Sequence, residues 1–102
     1  MTGHTVERRI SADHASAAGH FPGNPIVPGA VILDEVVAAI AAGRPIETFE
    51  IVSAKFLDIV RPGERLVIRW DDAHEGEIRF TCSAGYPGRR VAAGSLRFGT
   101  LR

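Results

Sequence analysis

The sequence has very little cysteine and no excess of either charge. Cys82 is the only cysteine among 102 residues, so no disulfide can form within the chain and a cytoplasmic location is expected. Twelve basic and twelve acidic residues cancel, which argues against nucleic acid or a membrane surface as the main partner. The first residues contain no apolar run, so we expect no secretory signal.

Metal-binding patterns and repeats are also missing. The four histidines and the cysteine stand at positions 4, 14, 20, 74 and 82, and these separations do not match a zinc site. The sequence contains no internal repeat, low-complexity tract or linker. We therefore predict one domain over residues 1–102.

A segment rich in proline and glycine, residues 19–29, precedes an apolar segment. Pro22, Pro25 and Pro28 each fix their own φ and restrict the residue before them, so this segment should be a stiff loop. The next twelve residues, 31–42, contain no proline or glycine, and a helix is predicted there.

The predicted helix is apolar nearly all round, with only Asp34 and Glu35 polar. Helices of this composition are usually buried, and this one, at roughly 20 Å, is too short to cross a bilayer. A carboxylate near a desolvated core is costly unless it is paired. One of the two acids is therefore a candidate functional group.

The loop adds a possible base and possible hydrogen-bond donors. His20 lies in it, and the amides around Gly29 and Ala30 should be free donors at the positive end of the helix dipole. A base, an acid and such donors within fifteen residues form a candidate catalytic constellation. A surface or helix-capping histidine remains the alternative, because spacing alone does not distinguish the two.

Alternating residues predict five strands around this helix. They are expected at 4–12, 46–60, 65–70, 77–84 and 89–98, with a weakness or bulge at Gly94 in the last. One strand, a helix and four strands in that order predict an α+β fold with an antiparallel sheet. Because one small sheet can hardly cover such a helix on every side, we expect a second copy to cover the rest. Cys82 is expected to be a core residue, and Trp70 and Phe80 are expected to be core residues or dimer contacts.

Residues 20–29 read His-Phe-Pro-Gly-Asn-Pro-Ile-Val-Pro-Gly, and Asp34 follows Gly29 by five positions. This motif resembles that of the β-hydroxyacyl-[acyl-carrier-protein] dehydratases of the FabA/FabZ type. A second, weaker similarity runs from Ala54-Lys55-Phe56 through Arg61-Pro62-Gly63-Glu64. The resemblance implies the hot-dog fold, an antiparallel β-sheet wrapped around one central apolar helix.

The resemblance also implies an activity and roles for individual residues. The reaction is dehydration of (3R)-3-hydroxyacyl thioesters to trans-2-enoyl thioesters, with no cofactor. His20 matches the catalytic base, the Gly29 amide contacts the thioester carbonyl, and Asp34, kept protonated by desolvated surroundings, assists departure of the hydroxyl. Glu35 is the second choice of acid and should find a partner at the helix edge. Residues expected to contact substrate are Phe21, Pro22, Gly23, Ile26, Val27, Pro28, Ala30 and Ala38.

The resemblance further implies an acyl carrier protein, with its phosphopantetheine-linked acyl group, as the partner. It also implies a homodimer or higher homo-oligomer in which His20 and Asp34 of one site come from different chains. The short chain favours a specialised pathway, such as aryl-polyene or other polyketide-like lipid synthesis. Two alternatives remain open: a hot-dog acyl thioesterase, and a non-catalytic subunit that binds the acyl carrier.

Overall fold

The computed structural model describes residues 3–10, 26–42, 46–71 and 76–100. These residues form five strands and one helix. In chain order they are β1 (Gly3–Arg9), α1 (Gly29–Ala41), β2 (Ile46–Phe56), β3 (Arg65–Asp71), β4 (Glu77–Ala84) and β5 (Arg89–Thr100). The predicted order of elements is confirmed, although β2 ends at Phe56 rather than at Val60.

The five strands form one antiparallel sheet in the order β1-β3-β4-β5-β2. Strands β3, β4 and β5 follow one another along the chain and pair as neighbours. The segment that contains α1 connects β1 to β2, and these two strands lie at opposite edges of the described sheet. The predicted α+β class with an antiparallel sheet is confirmed.

The core lies between α1 and one face of the sheet. Leu66, Ile68 and Trp70 on β3 are buried together with Ile78, Phe80, Cys82 and Ala84 on β4. Strand β4 alternates in burial, whereas on β3 the intervening Val67 is buried as well, outside this core cluster. From the helix, the buried side chains are Val31, Ile32, Val36, Ala39 and Ile40. Trp70, Phe80 and Cys82 are therefore core residues, as predicted.

The sheet covers only one side of α1. Ala30, Asp34 and Ala38 are exposed, and because they recur every four residues they lie on one face of the helix. This agrees with the expectation that a single small sheet cannot cover the whole helix. We call these three residues the open face of α1.

The expected irregularity at Gly94 is wrong. Gly94 pairs in register with Ala54 on β2 and with Phe80 on β4. The register shifts lie elsewhere: β2 has two, between Ile46 and Thr48 and between Ile51 and Ser53, and β5 has one at Val91, opposite Cys82 and Ser83. A side chain at position 94 would collide with the Ser53 carbonyl oxygen, so glycine is needed there for close backbone approach rather than for a bulge.

Candidate active site

The amino-terminal end of α1 presents free backbone donors. Pro28 precedes the helix with extended geometry, φ −61° and ψ 148°. Its carbonyl accepts hydrogen bonds from the amides of Val31 at 3.0 Å and Ile32 at 3.3 Å. Within the described residues, the amides of Gly29 and Ala30 have no hydrogen-bond partner. They lie at the positive end of the helix dipole, where they can stabilise a developing negative charge.

The backbone just before this helix is hydrogen-bonded to the segment that follows β2. The amide of Val27 donates to the carbonyl of Val60 at 2.7 Å, and the Val27 side chain is only 5% exposed. Val27 is therefore an anchor in the core, and in the single chain it offers little side-chain surface to the substrate that it was predicted to contact.

Arg89, at the start of β5, holds the segment that follows β2 in place. Its guanidinium donates to the Ile59 carbonyl at 2.7 Å, to the Asp58 carboxylate at 3.2 Å and to the two oxygens of Glu64 at 2.9 Å. The Arg89 hydrogen bond holds the pKa of Glu64 at about 2, well below its usual 4.5. We call Arg89, Asp58 and Glu64 the ion cluster.

The two acids of α1 have different surroundings. Glu35 pairs with Arg8 of β1, with 3.5 Å between Oε1 and Nε, which confirms the predicted partner at the helix edge. Asp34 is exposed and has no hydrogen-bond or ion-pair partner in the described part of the chain. The desolvated surroundings expected for Asp34 are thus not provided by the single chain, because Asp34 lies on the open face.

Asp34 is placed to act together with the helix end. It lies four positions after Ala30, which corresponds to roughly 6 Å along the axis. Helical side chains tilt toward the amino terminus, so the carboxylate leans toward the free amides. A short acyl unit can therefore meet an amide with its carbonyl oxygen and the carboxyl group with a hydroxyl two carbons away.

The other predicted site residues divide into two groups. Ala30 and Ala38 are exposed beside Asp34 on the open face, and Ile26 and Pro28 are half-buried just before the helix. His20, Phe21, Pro22 and Gly23 lie outside the described residues. The structure therefore brings Gly29, Ala30, Asp34 and Ala38 together on one element.

Phe56 was not among the predicted site residues. A side chain at position 29 would have its Cβ only 2.7 Å from Cζ of the Phe56 ring, and 2.9 Å from both Cε atoms. The ring therefore packs directly on the Cα of Gly29. The sequence placed Phe56 in the second similarity segment, but nothing in the spacing connected it with the helix end.

Most of the exposed large apolar side chains lie on β2 and just after it. They are Phe49, Ile51, Val52, Phe56, Leu57 and Ile59, each 40–52% exposed; Tyr86 is the other such residue in the described part. We call these six residues the β2 patch. It reaches the candidate site through the contact between Phe56 and Gly29.

Cys82 has no place in this site. It is fully buried in the core, and burial raises the pKa of its thiol to about 12, so it is not a nucleophile. In the described ranges, no helix has both the length and the apolar character needed to span a membrane. No group of three or more potential metal ligands comes together in the same residues.

Comparison with known proteins places these features in a family. The model of the ApeI-like family, described as ApeI dehydratase, matches residues 2–95. The 3-hydroxyacyl-[acyl-carrier-protein] dehydratase FabZ of Chloroflexus aggregans is 41% identical over 69 residues, which are 59% of this chain and 48% of that protein. The chain spans about half to two thirds of the length of the first curated relatives that it matches.

Solved structures share the fold. The dehydratase heterocomplex ApeI:P from Xenorhabdus doucetiae matches with a TM-score of 0.73 and 20% identity, covering 95% of this chain and 87% of that one. The 4-hydroxybenzoyl CoA thioesterase from Pseudomonas sp. strain CBS-3 matches with a TM-score of 0.65 and 20% identity, covering 100% and 88%. These matches confirm the hot-dog fold, and because dehydratases and thioesterases share it, the fold alone does not fix the reaction. The family model covers most of the sequence, and this chain belongs to the ApeI-like dehydratase family.

Proposed function

We propose that this chain dehydrates (3R)-3-hydroxyacyl-[acyl-carrier-protein] thioesters to trans-2-enoyl thioesters, in fatty-acid or aryl-polyene-like lipid synthesis. The observation that supports this most directly is the exposed Asp34, unpaired within the described residues, beside the free amide of Gly29. Membership of a dehydratase family and the FabZ relatives support the same reaction. A phosphopantetheine-bearing carrier as partner and a cytoplasmic location belong to this proposal.

The reaction needs three groups of the protein. The Gly29 amide donates a hydrogen bond to the thioester carbonyl oxygen and stabilises the enolate-like charge. His20, as neutral imidazole, removes the α-proton. The electron pair of that C–H bond forms the α,β double bond, and the β-hydroxyl leaves with a proton from Asp34 as water. None of these steps requires a metal or a redox cofactor.

The proposal includes a second copy because the single chain leaves the β2 patch and the open face of α1 exposed to water. Two chains that pair along β2 would join their sheets and bury Phe49, Ile51 and Val52 at the seam. The same association would bring the open faces toward the partner and remove Asp34 from water, which the single chain does not do. We propose a homodimer in which His20 of one chain acts with Asp34 of the other.

The activity is tested with 3-hydroxyacyl carrier thioesters of several chain lengths, followed by the mass loss of one water. We expect His20→Ala to remove most activity while leaving Tm nearly unchanged. We expect Asp34→Asn to lower the rate on the order of 10²-fold or more, whereas Glu35→Gln, the matched control, lowers it much less. Release of free thiol in place of water would support the thioesterase alternative. Equal losses from Asp34→Asn and Glu35→Gln would contradict the assignment of the acid.

The shared site is tested by mixing His20→Ala and Asp34→Asn chains under conditions that exchange subunits. A mixed dimer then has one doubly damaged site and one site with both residues intact. Activity should rise to about a quarter of wild type, because random pairing makes about half of the dimers mixed. Exchange is verified with differently tagged chains. Unchanged activity after verified exchange would mean that both residues act within one chain, and a protein inactive without a different subunit would indicate the non-catalytic alternative.

A further inference from the structure

The contact between Phe56 and Gly29 is unusually direct. A Cβ built at position 29 would lie 2.7 Å from Cζ of the Phe56 ring, so the ring leaves no space for a side chain there. Phe56 is the last residue of edge strand β2. Its ring is 49% exposed, so it covers Gly29 on one side and remains open on another.

This position puts the ring beside the reacting carbons of a bound substrate. In the proposed function, on which this inference depends, the Gly29 amide nitrogen holds the thioester carbonyl oxygen at about 2.9 Å. That nitrogen is one bond away from the Cα that the ring contacts. The carbonyl carbon and the α-carbon of the acyl group therefore lie close to the ring, whereas the distal acyl chain does not.

We infer that Phe56 is a specificity-determining residue that excludes acyl groups branched at the α-carbon. A methyl group on the α-carbon would need space that the ring occupies, and the ring cannot retreat toward Gly29 because the two are already in contact. The strand that bears Phe56 is fixed on its other side by β5, where Ala92 is its register partner. One methyl group in an apolar pocket changes kcat/KM by about 10- to 200-fold.

The chain offers a matched control on the same strand. Phe49 is also half-exposed at 50%, and its ring faces Phe98 with 6.4 Å between the ring centroids. It lies at the opposite part of β2 and is not among the atoms nearest to Gly29. Phe49→Ala therefore removes the same ring from the β2 patch without opening space at Gly29.

The contact itself is tested without any substrate. Gly29→Ala should lower Tm because the new methyl group meets the ring. The double variant Gly29→Ala with Phe56→Ala should recover part of that loss, whereas Gly29→Ala with Phe49→Ala should not. If Phe56→Ala does not rescue Gly29→Ala, the ring does not define the space at Gly29 and the inference fails.

The specificity is tested with a straight-chain 3-hydroxyacyl thioester and its 2-methyl analogue of equal chain length. For wild type, we expect kcat/KM to favour the straight chain by about tenfold or more. Phe56→Ala should bring this ratio to within about threefold of one, and Phe49→Ala should leave the ratio unchanged. Phe56→Leu is used if Phe56→Ala does not fold. An unchanged ratio in a folded Phe56 variant, or a wild type that accepts both substrates equally, would overturn the inference.

Binding separates this inference from the proposed function. The same two compounds are titrated by calorimetry into each protein carrying Asp34→Asn, which slows turnover, and the ratio of their Kd values should change in parallel with the kcat/KM ratio. If wild type binds both compounds and dehydrates neither, the proposed function fails, and the Kd ratio still decides whether Phe56 excludes the α-branch. A Kd ratio that is the same for wild type and the folded Phe56 variant overturns the inference even when dehydration is observed.

Discussion

Strands β4 and β2 belong to the same sheet but differ in burial. Along β4, alternate residues are buried, and its core side chains are at most 2% exposed. Along β2, every residue from Thr48 to Phe56 is exposed, although four of them are large and apolar. The difference comes from their neighbours: β4 lies between β3 and β5, whereas β2 pairs only with β5 among the described strands.

The exposed apolar residues of β2 show that an apolar sequence alone does not bury a strand within its own chain. We call β3 and β4, which α1 covers, the closed half of the domain. We call β2 and the open face of α1 the open half. Asp34 and Phe56 belong to the open half, and Gly29 adjoins it through its contact with the Phe56 ring. The tightly packed core and the proposed site thus lie in different parts of this small domain.

The largest effect is expected from a charge placed on the open half. Ile51→Glu should prevent a partner from covering β2. In the proposed shared site it should lower dehydration on the order of 10²-fold or more, because the site would lose the base proposed to come from the other chain. Circular dichroism should stay unchanged, and light scattering should report a monomer. Thr5→Glu, an exposed position on edge strand β1, is the matched control. A dimeric and active Ile51→Glu protein would contradict the assignment of this edge.

In the closed half, removing apolar volume should affect stability instead of assembly. Ile68 is fully buried, so Ile68→Ala should lower the free energy of unfolding by about 2–5 kcal/mol. Denaturant titration measures this loss, and the rate per folded dimer should change little. A loss below about 1 kcal/mol would mean that β3 is less tightly packed than the structure indicates.

The ion cluster, next to the open half, should give a pH-dependent contribution to stability. Glu64 has a pKa of about 2 in the folded protein, compared with 4.5 ordinarily. Its contribution is therefore present above about pH 4.5 and disappears as the pH falls toward 2. Glu64→Gln should lower Tm at pH 7 and approach wild type near pH 2. Glu50→Gln, in an exposed pair with Arg97, should change Tm little at either pH, and a parallel shift of both variants would contradict this account.

The smallest effect is expected at Cys82. Because burial raises the pKa of its thiol to about 12, a maleimide at pH 8 should leave the native protein unmodified over hours. The same reagent should modify the thiol quickly in denaturant. Mass spectrometry measures both, and rapid labelling of the native protein would show that the closed half opens easily.

The sequence predicted the closed half well because there each side chain follows a simple period. The alternation in β3 and β4 and the apolar helix have one physical cause, namely burial on one face. The alternation continues past Phe56, and for this reason the sequence predicts a strand that ends at Val60, later than β2 ends in the structure. The backbone there changes partners, with the Leu57 amide donating to Val91 and the Val60 carbonyl accepting from Val27.

The sequence predicts the relative placement of candidate site residues only where they lie on the same element. Gly29 and Asp34 belong to one helix, and their relative placement follows from helical geometry. The pairing of Glu35 with Arg8 and the contact of Phe56 with Gly29 join different elements. Such long-range contacts depend on the tertiary fold, so no spacing in the sequence could predict them.

The unequal edges of the sheet also bear on aggregation. If two copies join through the same edge, β2 to β2, the pairing is self-complementary and ends at two chains. Joining β2 of one copy to β1 of the next would instead continue without limit and produce fibres. Along β1, the exposed residues are Gly3, Thr5, Glu7 and Arg9, and polar and charged side chains of this kind make an edge a poor template for an apolar strand. The apolar edge of β2 can therefore pair with one partner copy, while the polar edge of β1 disfavours the addition of further copies.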